Sequence, residues 1–327
     1  MPKERTASRN AKDKDEEGGW KPWVRDIAIA LIIMAVILGG VYAYTGVWPP
    51  LVVVESASMQ HSSTESFIGV IDTGDLVFVQ TAPTRADVVT YLQGRATGYS
   101  TYGDYGDVII FRIASQPQAT PIIHRAIMYV KQNGTYADVP DLALLPSSEY
   151  QGYRGSVAVP GAFGLTNVTV RQMGFNHNLV INFPVEDFIQ TFHRAGYITM
   201  GDHNAPSFDR PDQWFPAQGD IIGHARGEIP WFGLIKLLLS PAPYCCQGWG
   251  DPHAAASSWN GLALSIVFLI ALPFILEAAG WAWGKYAWPR IKPHLPRWRK
   301  PAETRPPPED LEDEDTGDEP REGSSGP

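Results

Sequence analysis

The chain has 327 residues, of which 44% are hydrophobic and 19% charged, and its net charge is -9. That length allows one or two domains with a real core, and the generous aromatic, glycine and proline content favours a β-rich, loop-rich body over a helical bundle. Residues 45–260 hold 18 acidic and 11 basic side chains, only two of them lysines, which argues against the basic face that a nucleic-acid binder needs.

Residues 1–26 form a polar leader, and seven Lys or Arg precede the first apolar run. Ile27 to Val47 carries no charge, and its 21 residues cover roughly the 30 Å hydrocarbon core at 1.5 Å per residue. Trp20, Trp23 and Trp48 flank this run as interfacial anchors do. The run is longer than the apolar core of a secretory signal and its leader is unusually long, so residues 27–47 read as a membrane anchor.

Residues 48–260 read as an outer domain. Its apolar segments are short: Leu76–Val79, Asp107–Phe111, Pro121–Val130, Asn178–Phe183, Tyr197–Met200 and Asp220–Ala225. Each is rich in β-branched or aromatic residues and bounded by Gly, Asp, Asn or Pro, which predicts strands. The fold class is therefore mainly β, antiparallel, with long loops expected at 91–106 and 131–176. Ile229 to Leu239 is apolar but too short to cross a bilayer, and reads as an interfacial element or a core piece beside the membrane. Cys245 and Cys246 are neighbours, for which two free thiols are expected over a strained vicinal disulfide. No C-x-x-C or His/Cys cluster points to zinc. Two sequons, at Asn133 and Asn167, offer sites for glycosylation.

A second span is expected over residues 261–283, where Pro273 would kink a helix without preventing it and Glu277 lies near the far end, within reach of the interface. The basic segment 284–300 follows, with six Lys or Arg between Lys285 and Lys300 and no acid. Residues 301–327 carry ten acids against two arginines, too polar a run to bury a core, and are expected to be a disordered acidic tail. The positive-inside rule then puts both termini in the cytoplasm and the domain between the spans outside it.

Just past the first span stands V-E-S-A-S-M-Q-H, Val54 to His61. A serine is a poor nucleophile unless a base lies within hydrogen-bond reach and something stabilises the oxyanion. The candidate bases are His61, His124, His177, His193, His203, His224 and His253, and spacing alone does not choose among them. His124 is distinctive because it interrupts the otherwise apolar strand I-I-H-R. The stretch T-M-G-D-H-N-A-P-S-F-D, Thr199 to Asp209, offers Asp202 and Asp209, either of which could orient an imidazole. Taken alone, its G-D-H-N also reads as a tight turn whose aspartate caps its own backbone.

The order of these pieces carries more than any one of them. A membrane span, S-x-S-M, G-D-L-V, G-D-V-I-I-F, I-I-H-R, a G-D-x-N turn with a later aspartate and a basic-flanked second span together resemble type I signal peptidases. The resemblance is to the branch of archaea and the eukaryotic endoplasmic reticulum, in which a histidine stands in place of the lysine base of bacterial enzymes. It covers about residues 27–283. It implies a serine endopeptidase that removes N-terminal signal peptides after small residues, in an A-x-A pattern, with no cofactor and no metal. Ser58 matches the nucleophile and His124 the general base. Ser56 matches a serine that helps the Ser58 N–H form the oxyanion hole. Asp202 and Asp209 match the acids near the site, and which of them touches His124 stays open. The partners implied are secretory preproteins, membrane lipid and the Sec translocon. The chain departs from the family pattern at His61, where a proline is usual, in the longer stretch up to Gly74, and at His203, where many relatives have Asn. A catalytically silent relative that binds signal peptides or a partner is the alternative.

Overall fold

In a computed structural model of the protein, residues 20–116, 118–203, 211–243 and 245–287 are described. The chain divides into two units, Met1–Phe268 and Leu269–Pro327. In chain order the first helix is α1 (Trp20–Thr45), followed by strands β1 (Leu51–Val53) and β2 (Leu76–Gln80). Helix α2 (Tyr91–Thr97), the small ribbon β3 (Ser100–Thr101) and β4 (Asp104–Tyr105), then β5 (Val108–Phe111), β6 (Ile122–Asn133) and β7 (Tyr136–Asp138) come next. After them run β8 (Tyr150–Arg154), β9 (Val157–Val159), β10 (Asn167–Met173) and β11 (Leu179–Phe183). Helix α3 (Val185–Phe192), β12 (Gly196–Met200), β13 (Ile221–Ile229), α4 (Gly233–Leu239) and α5 (Ala256–Ala282) complete the order.

The fold is mainly β, and every ladder between the strands is antiparallel. The main sheet runs β1-β2-β13-β5-β6-β12, with β7 paired to β6, and a second sheet runs β11-β10-β8-β9. The six strands expected from β-branched runs are all present, as β2, β5, β6, β11, β12 and β13. The expected loops are not loops throughout. Residues 91–106 contain α2 and the β3–β4 ribbon, and residues 131–176 contain β7 to β10. These strands are short and interrupted by glycine turns, so their alternation is weak in sequence. Their apolar side chains, among them Val168, Val170 and Met173, pack with Ile181, Phe183 and Phe188 in the largest core cluster.

Two glycine–aspartate pairs brace the main sheet. Gly106 takes φ +75°, and a Cβ there would stand 2.6 Å from the Thr90 carbonyl carbon, so only glycine fits. Beside it Asp107 is fully buried and accepts from Val89 N–H, Tyr99 Oη and Arg226 Nη1, each at 2.8 Å. Burial alone would raise its pKa, but the hydrogen bonds from His224 and Arg226 and the Arg226 charge lower it to about 2. Asp75, after Gly74, accepts from Asp72 N–H at 2.8 Å and Trp231 N–H at 2.9 Å. There burial wins, and the carboxyl is pushed up to about 8.

Among the described residues, two helices are long and apolar enough to cross a membrane, Trp23–Thr45 and Ala256–Tyr286. The 23 residues of the first span about 35 Å at helical rise, enough for the hydrocarbon core. Its large apolar side chains, from Ile27 through Leu31 and Val36 to Tyr42, are exposed all round, as lipid-facing residues are. The first helix ends at Thr45 rather than Val47, and the second begins at Ala256 rather than Gly261. Within the first unit, the start of α5 packs under α4: Leu234 and Leu237 are buried with Trp259 and Leu262. The short apolar run at Ile229–Leu239 thus supplies the core helix α4, with Leu239 left 83% exposed. Cys245 and Cys246, expected as free thiols, are joined by a disulfide and buried in the same cluster.

Candidate active site

The serine of interest sits on a turn that the sequence builds in three steps. Strand β1 pairs with β2 and is followed by Val54, whose N–H bonds Asp75 O at 3.0 Å while Gly74 N–H returns to Val54 O at 2.9 Å. The chain then makes one 3₁₀ turn, Ala57–Met59, closed by Gln60 N–H on Ala57 O at 3.2 Å. Met59 is 1% exposed and anchors this turn among Val54, Ile71, Val77 and Val108. With three residues per turn, Ser58 then points away from the side that Met59 buries. Its Oγ lies 3.2 Å from Ser56 Oγ. The first N–H groups of such a turn have no acceptor within it, which leaves donors beside the serine.

His124 stands on β6, paired across the ladder with Ile109 of β5. Its Nδ1 lies 2.5 Å from Asp212 Oδ2, and both side chains are about nine-tenths buried, at 11% and 10% exposure. Asp212 is itself held to β12: Thr199 Oγ1 donates to Oδ2 at 2.7 Å, and Asp212 N–H donates to Thr199 O at 3.0 Å. A carboxylate on Nδ1 fixes the tautomer and leaves Nε2 as the acceptor. Burial lowers the His124 pKa. The Asp212 charge and hydrogen bond, with a smaller contribution from the Asp202 charge, outweigh it and raise the pKa above the ordinary imidazole value.

Asp202, one of the two acids left open as a partner of His124, is tied to Arg125 and His61. It is 5% exposed and takes both arms of Arg125, Nε at 2.8 Å and Nη2 at 2.6 Å, and His61 Nε2 at 3.1 Å. Burial works against its charge, but Arg125 and His61 lower its pKa all the same. No hydrogen bond joins it to His124, so the carboxylate on the imidazole is Asp212 and not Asp202. Asp209 lies outside the described residues. Arg125 is 1% exposed, and its Nη1 also reaches the carbonyls of Thr101, Asp104, Tyr105 and Gly106. The neighbours His124 and Arg125 thus serve separate carboxylates, as alternate side chains of a strand do.

The serine turn packs against β6, and Ile123 of that strand joins the cluster that buries Met59. No hydrogen bond joins Ser58 to His124; the Ser58 hydroxyl pairs with Ser56. Such bonds are often long without substrate and tighten when it binds. The Gly201–His203 turn closes the other side: His203 N–H donates to Ser58 O at 2.9 Å, and its Nδ1 lies 3.1 Å from Gln60 O. His61 stacks on Phe175 with ring centroids 4.2 Å apart. A cavity of about 380 Å³ between Phe111, Phe192, Arg194 and Trp214 contains none of these side chains.

Asp212 was not singled out by the sequence. It stands in D-R-P-D, three residues after Asp209, and its bond to Thr199 shows only in the folded chain.

No family model matches the chain. Among curated proteins it is similar to the signal peptidase complex catalytic subunit SEC11 of Ajellomyces dermatitidis, at 21% identity over 225 residues, 68% of this chain and 82% of the relative. That distant similarity is in keeping with the chain's antiparallel β fold and its two long apolar helices.

Proposed function

We propose that the protein is a membrane-bound signal peptidase, a serine endopeptidase that removes signal peptides from secretory preproteins after small residues. The buried pair of Asp212 with His124, which stands on the strand against which the Ser58 turn packs, carries this reading. The two apolar helices anchor the domain outside the cytoplasm, with both termini inside, where a preprotein delivered by the Sec translocon presents its cleavage site at the bilayer surface. A nucleophile tethered there gains effective concentration and orientation from the anchor.

In the first step Ser58 Oγ attacks the scissile carbonyl and its proton passes to His124 Nε2. Asp212 stays ionised and holds the imidazolium. The Ser58 N–H and the Ser56 hydroxyl stabilise the oxyanion. The C–N bond then breaks as His124 returns the proton to the leaving amine, which is the mature protein. Water, activated by the same histidine, cleaves the ester and restores Ser58.

The test is the position of the cut. Solubilised protein and an A-x-A preprotein should yield a single mature N-terminus just after the second alanine, and a bulky residue at either alanine should block it. Cleavage at scattered sites, or indifference to those residues, would sink the reading. The alternative, a silent subunit that binds signal peptides, draws on the missing Ser58–His124 hydrogen bond. It predicts binding of the preprotein with no product.

A further inference from the structure

We infer that His203 is a positioning residue for this reaction: it fixes the Ser58 turn and moves no proton. The inference rests on the proposed function. Three carbonyls of the turn are tied down. Ala57 O is held from within by Gln60 N–H, while Ser58 O and Gln60 O are both held by His203, at 2.9 Å through its backbone N–H and at 3.1 Å through Nδ1. A carbonyl oxygen only accepts, so Nδ1 carries the hydrogen. The residues on either side are fixed too. Met59 is buried in the core, and His61 is held by Asp202 Oδ2 at 3.1 Å and by the Phe175 ring. Asp202 is in turn clamped by Arg125, the neighbour of His124 on β6. The Gly201–His203 turn therefore sets the serine turn against the strand that bears the base.

Carbonyl orientation in a short turn decides where the Ser58 N–H and Oγ point, since each peptide plane is rigid. A shift of about 1 Å in such groups costs about a hundredfold in rate. The neutral Nδ1–H tautomer and the imidazolium both keep the bond to Gln60 O, so protonation of His203 does not release the turn. Among the described residues, His61, Asp202 and Arg125 are the charged or titratable groups tied to this turn, and none of them meets the His203 ring in a hydrogen bond.

Asparagine tests the role because its Nδ2, like histidine Nδ1, is bonded to Cγ and can donate to Gln60 O. His203→Asn should keep kcat within about threefold, while His203→Ala should lower it at least about tenfold with KM unchanged. The acidic limb of the pH–rate profile should stay in place in both, because it belongs to His124. If His203 were itself the base, asparagine would be as inactive as alanine and the limb would vanish. Equal activity of His203→Ala and wild type, or a loss confined to KM, would also overturn the inference. Should His203→Ala fail to fold, His203→Asn decides alone: near-normal kcat supports the role and a large loss refutes it. Ser58→Ala is run beside them. If it cuts as well as wild type, the proposed reaction falls and takes this inference with it; if it is inactive while His203→Ala is fully active, only the inference falls.

Discussion

Replacing Asp212 by asparagine keeps the shape of the side chain and removes one charge. In the protein a single oxygen, Oδ2, receives both the His124 Nδ1–H and the Thr199 hydroxyl. The amide oxygen of asparagine can take both, so the imidazole should keep its tautomer and direction. What is lost is the attraction between carboxylate and imidazolium as His124 takes the Ser58 proton. For charges about 4 Å apart at an effective dielectric of 20 this is about 4 kcal/mol, and the 10–11% exposure of the pair leaves little room for water to screen it. Asp212→Asn should therefore lower kcat by about a thousandfold, with KM little changed. The pH–rate profile supplies a second sign. Burial lowers the His124 pKa and the Asp212 charge raises it, so without that charge the acidic limb moves to lower pH. The assay is cleavage of an A-x-A preprotein by purified protein in detergent and lipid, from pH 5 to 9. A loss below about tenfold, or a limb that stays or moves upward, would refute this role for Asp212.

Asp202→Asn should act on stability before chemistry. It leaves the buried Arg125 guanidinium without its charged partner, which costs about 3–5 kcal/mol and would be read as a lower midpoint in chemical unfolding. Because its folded pKa is depressed, the Asp202 contribution is complete above the ordinary carboxylate value and is lost as pH falls through the lower folded value, so the wild type should lose stability there and the variant should not. Asp75 and Glu228 behave in the opposite sense. Burial raises them to about 8 and about 7, so their contribution is present at low pH and lost as pH rises through those values; thermal unfolding measured from pH 6 to 9 should show the decline. Of the two sequons, Asn133 is exposed at the end of β6, whereas Asn167 is half-buried and paired with Tyr153 in β10. In a glycosylating host, Asn133→Gln should abolish the mass shift on deglycosylation and Asn167→Gln should leave it.

The parts of the fold that could be read from the sequence are those whose strands bury one continuous apolar run. Asp107 to Phe111 ends in such a run, Val108–Phe111, and it became β5. The sheet of β8 to β11 was half hidden because residues such as Tyr150–Arg154 alternate poorly, and their partners lie across turns that sequence order does not pair. Among the site residues, Ser58 and His124 stood out by context: one follows a span, and the other breaks an apolar strand. The glycine–aspartate pairs hold the fold together. Asp75, Asp107 and Asp202 all brace neighbouring elements, through Trp231, Arg226 and Arg125. Asp212 carried no mark of its own, since its role depends on a hydrogen bond from Thr199 in β12 that is fixed only once the chain has folded.

The central claim is that Ser58 and His124 form one catalytic unit at the exit of the first apolar helix. The most direct measurement is single-turnover cleavage of a radiolabelled A-x-A preprotein by wild type, Ser58→Ala, His124→Ala and the double variant, each shown to be folded. The account predicts mature product from the wild type only, with both single variants reduced as far as the double one, because residues that act as a unit are not additive. Cleavage by Ser58→Ala at the wild-type rate, or losses in the single variants that multiply in the double, would contradict it.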